Sequence, residues 1–235
     1  MHPAPFSYTD IRRIVRMYTK PGDTILDPFS GIGSSLKAAV LEGRNAIGIE
    51  LYPDFVGLTH KRMNDEVLAQ DMDGVHYEVL EGDTRSLSKT IDENTVDLVV
   101  TSPPYWSILN KKPDHKTRQT REAKGLVTRY GDDARDLSSI EDYEEFVEEL
   151  GESLEGSIRA LRPKKYFIAI VGDFRHKSKY YMYHADLAKA LESRGLTLQA
   201  SNILYQRHKR VFPYGYPYAY VPNVHHQNIL VLRKL

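Results

Sequence analysis

The sequence contains no cysteine and no long apolar run. The first absence excludes disulfides, thiolate metal ligands and cysteine nucleophiles. The second argues against a membrane-spanning helix, which needs roughly 20 consecutive apolar residues. The first residues also lack the apolar core of a secretory signal, so the sequence predicts a cytoplasmic protein. No histidine spacing is typical of a metal site, and we predict no metal.

A net charge is also missing, because 32 lysines and arginines balance 32 aspartates and glutamates. The charges are nevertheless unevenly distributed along the chain. Residues 110–129 are mainly basic and residues 141–155 are strongly acidic. One interpretation is that both segments form solvated surfaces. The alternative is that the basic segment forms a face that meets an acidic partner beside an active site.

Short apolar strands alternate with helical patterns from end to end, which is typical of a mostly parallel sheet covered by helices on both faces. The predicted strands are 24–29, 45–51, 75–81, 96–102, 166–173, 196–206 and 227–233. The predicted helices are 9–18, 34–42, 53–69, 140–161 and 184–194. We therefore expect one α/β domain over residues 1–235, with long loops at 106–139 and 207–225 facing a substrate.

A glycine loop follows the first predicted strand in "TILDPFSGIGSSLKAA". Gly31 and Gly33 would let the backbone approach a ligand closely, although a tight structural turn is the alternative. The next helix is predicted to start with Ser34 or Ser35 as its cap.

Carboxylates end three successive predicted strands, at Asp27, Glu50 and Asp83. Glu50 suits the two hydroxyls of a ribose, and Asp83 suits an adenine amino group. A third glycine and a Walker lysine are missing, which disfavours NAD and ATP. Three carboxylates suit an ammonium, a ribose and an adenine, which together are features of S-adenosylmethionine. The alternative is that each acid only caps the following helix.

The fourth predicted strand runs into Ser-Pro-Pro-Tyr-Trp in "VDLVVTSPPYW". Two consecutive prolines cannot donate hydrogen bonds to a sheet, so the strand must end there. Open α/β sheets bind their ligands at that end of the strands.

These motifs together resemble the amino-methyltransferases that modify N4 of cytosine or N6 of adenine, whose motif is Asp/Asn/Ser-Pro-Pro-Tyr/Phe. The similarity extends over most of the chain, through "HPAPFSYTDIRRIV", the glycine loop, "NAIGIEL", "EGDTRSL" and the final "HHQNILVLRK". The resemblance implies a Rossmann-like, seven-stranded S-adenosylmethionine-dependent methyltransferase sheet whose last strand is antiparallel. The predicted cofactor-binding residues are Pro5, Phe6, Asp27, Phe29, Gly31, Gly33, Ser34, Ser35, Glu50, Leu51, Asp83, Thr84 and Ser102.

The motif residues explain how a weakly nucleophilic aromatic amino group could react. The Ser102 hydroxyl and the Pro103 carbonyl can accept the two amino hydrogens and aim the nitrogen at the methyl group. Proline rigidity preorganises this pair, and Tyr105, helped by Trp106, would stack on the target base. The predicted catalytic residues are Ser102, Pro103, Pro104 and Tyr105.

Substrate recognition is assigned to the two long loops, because the chain has no room for a separate target-recognition domain. Aromatic and basic residues alternate in "YQRHKRVFPYGYPYAYVPNVHH", which suits base stacking and phosphate contacts, or forms a Tyr/Pro loop packed over the sheet. The predicted substrate-binding residues are Trp106, Lys111, Lys112, Arg118, Arg207, Lys209, Arg210, Tyr214 and Tyr216.

The resemblance implies a nucleic-acid substrate, with no membrane partner. Serine at the first motif position favours cytosine N4 over adenine N6, and we expect DNA as the polymer. The alternatives are a structured RNA such as ribosomal RNA, a catalytically silent nucleic-acid-binding module, and a small-molecule methyltransferase. The sequence leaves the oligomeric state open, together with the need for a partner subunit in target recognition.

Overall fold

The structure is a computed structural model that describes residues 8–107, 133, 135–176, 178–206, 209, 213–214 and 221–235. Its helices are α1 (Tyr8–Tyr18), α2 (Ser34–Val40), α3 (Pro53–Glu66), α4 (Tyr143–Ala160) and α5 (Tyr183–Glu192). Its strands are β1 (Thr24–Asp27), β2 (Asn45–Glu50), β3 (Tyr77–Glu81), β4 (Val96–Thr101), β5 (Leu161–Val171), β6 (Phe174–His176), β7 (Lys179–Tyr181), β8 (Leu196–Tyr205), β9 (Pro213–Tyr214), β10 (Val221–Pro222) and β11 (His226–Lys234).

Seven of these strands form the central sheet in the order β3-β2-β1-β4-β5-β11-β8. The first five of that order run parallel to one another, and β11 is antiparallel to both β5 and β8. The predicted seven-stranded, mostly parallel sheet with an antiparallel last strand is confirmed. The carboxyl ends of β1, β2, β3, β4 and β5 therefore meet at one edge, where such sheets place their ligand sites.

Helices cover both faces of the sheet, and apolar side chains therefore occur on both faces of its strands. Along β5, Phe167 and Ala169 belong to the core cluster that includes residues of α4 and α5. Ile168 and Ile170 belong to the second cluster, which includes residues of α1 and α2. This alternation follows from the two-residue period of a strand.

Two features of the fold differ from the sequence predictions. The strand predicted at 166–173 begins at Leu161 instead, directly after α4, and contains an irregularity between the pairs Val96–Leu161 and Leu98–Tyr166. Pro163 lies inside this irregularity, where a missing N–H is tolerated. The second feature is the β6–β7 hairpin, which was not predicted because its strands have three residues each.

The described helices include none that combines the length and apolar character of a membrane span.

Candidate active site

An open pocket of about 650 Å³ lies at the carboxyl edge of the parallel strands. Six predicted cofactor-binding residues line it, namely Phe29, Glu50, Leu51, Asp83, Thr84 and Ser102. Its walls combine apolar side chains with three carboxylates, those of Glu50, Asp83 and Asp136, which fits a nucleoside with an adenine and a ribose.

The glycine loop adopts the conformation that its glycines permit. Gly31 and Gly33 have φ angles of 54° and 72°, in the left-handed region that disfavours other residues. A Cβ atom at Gly33 would lie 2.5 Å from Cγ2 of Thr59 in α3. The Thr59 hydroxyl also donates a hydrogen bond of 3.0 Å to the Gly31 carbonyl, so α3 fixes the shape of the loop.

The predicted serine cap of α2 is wrong. Gly33 is the N-cap residue and makes no side-chain cap hydrogen bond. Ser34 and Ser35 lie within the helix, where the Ser34 hydroxyl lies 2.9 Å from Nη1 of Arg62 and the Ser35 hydroxyl donates to Asp27. Both serines are buried, and neither lines the pocket.

Asp27 is the last residue of β1 and directly precedes the pocket residues Pro28 and Phe29. Its carboxylate is buried, and it accepts hydrogen bonds from the Ser35 hydroxyl and from the Phe29 N–H, the latter at 3.1 Å. Burial raises the pKa of Asp27 to about 6, although these hydrogen bonds lower it in part. In this arrangement Asp27 braces the loop that carries Phe29 and the start of α2.

Glu50 joins the glycine loop to the end of β2. Its two carboxylate oxygens accept the N–H groups of Gly31 and Tyr52, each at 2.9 Å. Burial raises the pKa of Glu50 to about 7, against the lowering effect of these two hydrogen bonds. A carboxylate offers about four lone-pair sites, so Glu50 retains acceptors for hydroxyl groups in the pocket.

Asp83 lies in the pocket wall and also caps a short 3₁₀ helix over Thr84–Lys89. It accepts the Arg85 N–H at 2.9 Å and pairs with the Arg85 guanidinium at 2.7 Å. The helix-cap interpretation is therefore correct for Asp83, which leaves its contact with adenine a prediction. The buried Thr84 hydroxyl donates to the Pro28 carbonyl and thereby joins this wall to β1.

One wall of the pocket was not predicted from the sequence; it is formed by Tyr52, Arg135, Asp136 and Leu137. The Tyr52 hydroxyl donates a 2.7 Å hydrogen bond to Asp136. Burial, followed by this hydrogen bond, raises the pKa of Tyr52. Only the position of Tyr52, two residues after Glu50, could have indicated this wall, because the other residues follow a long predicted loop.

The motif Ser102–Tyr105 leaves the end of β4 at the rim of the pocket, which Ser102 and Pro104 line. The Pro104 carbonyl accepts a 2.9 Å hydrogen bond from the Tyr183 hydroxyl. The Tyr105 hydroxyl accepts hydrogen bonds from the Gly172 N–H at 3.0 Å and from Gln227 at 3.1 Å. Burial raises the pKa of Tyr105. Three residues remote in sequence thus hold the second half of the motif.

The first half of the motif retains its acceptors. Within the described residues, the Ser102 hydroxyl and the Pro103 carbonyl have no hydrogen-bond partner. These are the two groups predicted to accept the hydrogens of an amino group. The backbone around them is fixed, because the Pro104 carbonyl and the Tyr105 hydroxyl are already bonded.

Trp106 does not face open space as a stacking residue should. Its side chain is only 5% exposed and lies among the rings of Tyr143, Phe174, His176 and Tyr181, with ring centroids 4.8 to 6.1 Å away. The predicted role in base stacking is therefore corrected to a packing role, because hydrophobic burial in this cluster leaves little of the ring accessible.

Most of the predicted polymer contacts lie outside the described residues. This applies to Lys111, Lys112, Arg118, Arg207, Arg210 and Tyr216, and also to the predicted cofactor residues Pro5 and Phe6. Lys209 is exposed, and Tyr214 belongs to β9, which pairs with β10. Asp173, directly before β6, contacts His184 and Tyr180.

Comparison with known proteins relates the first part of the chain to DNA methylases. Residues 1–61 match the model of the N6/N4 methyltransferase family, described as DNA methylase. The chain is 40% identical over 62 residues to the type II methyltransferase M.BglI of Bacillus subtilis, a match that covers 26% of this chain and 18% of that protein. It is 32% identical over 63 residues to the DNA adenine methyltransferase YhdJ of Escherichia coli, covering 27% of this chain and 21% of that protein.

The fold agrees with this assignment. A solved S-adenosylmethionine-dependent methyltransferase from Methanosarcina mazei matches with a TM-score of 0.54 and 14% identity, over 94% of this chain and 97% of that one. The fold is thus that of the S-adenosylmethionine-dependent methyltransferases. The sequence matches are confined to the amino-terminal quarter of the chain, which is similar to the N4/N6 amino-methyltransferases, and they span less than a quarter of the length of these curated relatives.

Proposed function

We propose that this protein transfers a methyl group from S-adenosylmethionine to the exocyclic amino nitrogen of a nucleic-acid base, with cytosine N4 in DNA as the preferred target. The proposal rests on two adjacent acceptors, the Ser102 hydroxyl, whose residue lines the pocket, and the carbonyl of the following residue, Pro103. Two adjacent acceptors match the two hydrogens of an amino group. The position of Ser102 in the pocket wall favours transfer between two bound molecules.

The pocket residues divide the binding of the cofactor between them. Glu50 would bind the ribose hydroxyls through its remaining lone pairs, and Asp83 would accept from the adenine amino group. Leu51 and Leu137 would contact the adenine ring from the pocket wall. The methionine end would lie toward the loop of Gly31 and Gly33, whose backbone allows close approach.

S-adenosylmethionine supplies an electrophilic methyl group on a positively charged sulfur. Ser102 and Pro103 would hold the amino hydrogens so that the nitrogen lone pair points along the line of attack. The new bond joins nitrogen to the methyl carbon as the carbon–sulfur bond breaks. The nitrogen then carries a positive charge and releases a proton to solvent, so no general base is required before attack.

Two other targets follow from the same site. The similarity to a DNA adenine methyltransferase over 63 residues favours adenine N6 as the second candidate. Serine at position 102 is the feature that supports cytosine. Looped RNA is the second candidate polymer, because its unpaired bases need no extrusion from a duplex.

The test is methyl transfer from isotopically labelled S-adenosylmethionine to unmodified total DNA and, separately, to unmodified total RNA. The products are digested to nucleosides and identified by mass. Label in N4-methyldeoxycytidine supports the full proposal, whereas label in a methylated adenosine or ribocytidine changes the base or the polymer. Label in neither polymer contradicts the proposed function.

A pair of serine variants controls this assay. Ser102→Ala should lower kcat by about 100-fold, the effect of losing one preorganised hydrogen bond. Ser193→Ala removes a hydroxyl that donates to the Ala190 carbonyl and accepts from Arg194, and it should leave kcat unchanged. Equal activity of both variants would contradict the role given to Ser102.

A further inference from the structure

The β6–β7 hairpin lies next to the motif but has no assigned role. It begins two residues after Gly172, whose N–H holds the Tyr105 hydroxyl. It projects from the carboxyl end of β5, at the sheet edge that carries the pocket. Tyr180 and the adjoining Met182 are 38% and 56% exposed, so this edge presents large side chains to solvent.

The hairpin is fixed to the motif through its inner face. Trp106, the residue after Tyr105, packs against Phe174, His176 and Tyr181. Phe174 and Tyr181 stack on each other across the hairpin, with ring centroids 5.4 Å apart. A change in the position of the hairpin would therefore displace Trp106, the residue next to the motif.

A second anchor is the buried carboxylate of Asp173. It accepts the Tyr180 hydroxyl at 3.2 Å and the His184 N–H at 3.1 Å, and it lies 2.7 Å from Nδ1 of His184. These contacts join the hairpin to the first turn of α5, where Tyr183 holds the Pro104 carbonyl. The hairpin thus shares its supports with the motif.

Basic and aromatic residues lie on both faces of the hairpin, with Lys179 and Tyr181 on the face of His176, and Arg175 and Tyr180 on the opposite face. The segment "FRHKSKYY" contains no carboxylate. Lys179 is exposed, with its Nζ 4.7 Å from the ring centre of Tyr181, and Arg175 lies 5.3 Å from that of Tyr180. Within the described part of the chain, neither cation forms an ion pair with a carboxylate.

We propose that the β6–β7 hairpin binds the phosphate backbone of the nucleic-acid substrate beside the target base, through Arg175 and Lys179. This inference rests on the proposed function and adds to it a contact surface outside the two long loops. Cations on a rigid aromatic support suit phosphates, since they need not be ordered on binding. Because the hairpin is anchored through Trp106, backbone contact there sets the distance between the polymer and Ser102.

The test compares nucleic-acid binding of the whole protein with that of Arg175→Ala/Lys179→Ala. The probes are a fluorescein-labelled 20-base-pair DNA duplex and its single strand, followed by anisotropy between 50 and 200 mM NaCl. Each lost phosphate contact should reduce the slope of log K against log salt by about 1, so the double variant should lose about 2. The dissociation constant at 50 mM should rise about tenfold or more, and Arg175→Lys should retain most of the slope.

The matched control is Lys20→Ala/Lys189→Ala, which removes two exposed charges away from the motif, before β1 and late in α5. It should bind with the wild-type slope. Emission of the single tryptophan, which lies beneath the hairpin, reports whether the packing is intact. A wild-type slope in the hairpin variant, or a wild-type protein that binds neither probe, would overturn the inference. Failure of methyl transfer by a protein that binds with the expected slopes would instead count against the proposed function.

Discussion

The two sides of the site are held together in different ways. On the side that we propose binds the cofactor, at the ends of β1, β2 and β3, each carboxylate binds the N–H group two residues further along the chain, in the pairs Asp27–Phe29, Glu50–Tyr52 and Asp83–Arg85. On the side that we propose binds the substrate, the hydrogen bonds that fix the motif span 67, 79 and 122 residues. Hydrogen bonds between neighbouring residues can be predicted from a short sequence motif, whereas those between residues remote in sequence can be identified only from the folded structure.

The largest effect is expected where the two sides meet, at Tyr105. Tyr105→Ala should lower kcat/KM for nucleic acid by about 1,000-fold, because the loss of about 1.4 kcal/mol of stacking accounts for about tenfold and displaced acceptors for about another 100-fold. Tyr105→Phe keeps the ring and should remain within tenfold of wild type. The dissociation constant of S-adenosylmethionine, measured by calorimetry, should change little in either variant. Comparable losses in kcat/KM for both variants would contradict a stacking role.

Replacement of the buried carboxylate of Asp27 should change the free energy of unfolding in a pH-dependent way. Burial raises the pKa of this carboxyl from 3.8 to about 6, so the folded state favours the protonated form. The resulting stabilisation is complete below pH 4 and is lost as the pH rises through 6. Asp27→Asn keeps neutral hydrogen-bonding groups toward Ser35 and Phe29. Its free energy of unfolding should exceed that of wild type by about 3 kcal/mol at pH 8 and match it at pH 4.

Denaturant unfolding at the two pH values measures this difference. The control Asp73→Asn changes an exposed carboxylate and should match the wild-type free energy of unfolding at each of the two pH values. A stability gain for Asp27→Asn that does not depend on pH would show that burial of the charge is not its cause.

Glu50 should affect cofactor binding without a direct effect on the motif. Glu50→Ala removes the acceptor of two N–H groups and the proposed ribose ligand, and should weaken S-adenosylmethionine binding by about 30-fold. Glu81→Ala, an exposed glutamate at the end of the neighbouring strand, is the control and should bind as wild type. Calorimetric titration distinguishes them, and equal affinities would remove Glu50 from the cofactor site.

The smallest effect is expected for the hydroxyl that holds the motif from α5. Tyr183→Phe frees the Pro104 carbonyl while keeping the ring, and should lower kcat about tenfold with unchanged KM for the cofactor. Tyr143→Phe breaks a similar 2.8 Å bond, to Asp186, and serves as the control. A kcat for Tyr183→Phe that equals the control would show that this bond does not position the motif.

Sequence reasoning succeeded where a strand end and its loop are contiguous. The sheet, the glycine loop and the pocket residues Glu50, Asp83 and Ser102 could be predicted because strand periodicity and local motifs specify them. The role of Trp106 was predicted wrongly, because an aromatic residue beside a motif suggests base stacking and its packing partners are known only from the structure. The wall at Asp136 was also not predicted, because the Tyr52 hydrogen bond closes 84 residues of chain.

The most direct test of the site is a crystal structure of the protein with S-adenosylhomocysteine bound. We predict that the ribose hydroxyls bind Glu50, that the adenine lies against Leu137 near Asp83, and that the sulfur faces Ser102. The Pro103 carbonyl should remain open toward the position of the target amino group. A ligand bound elsewhere, or bound with its sulfur directed away from the motif Ser102–Tyr105, would contradict the account.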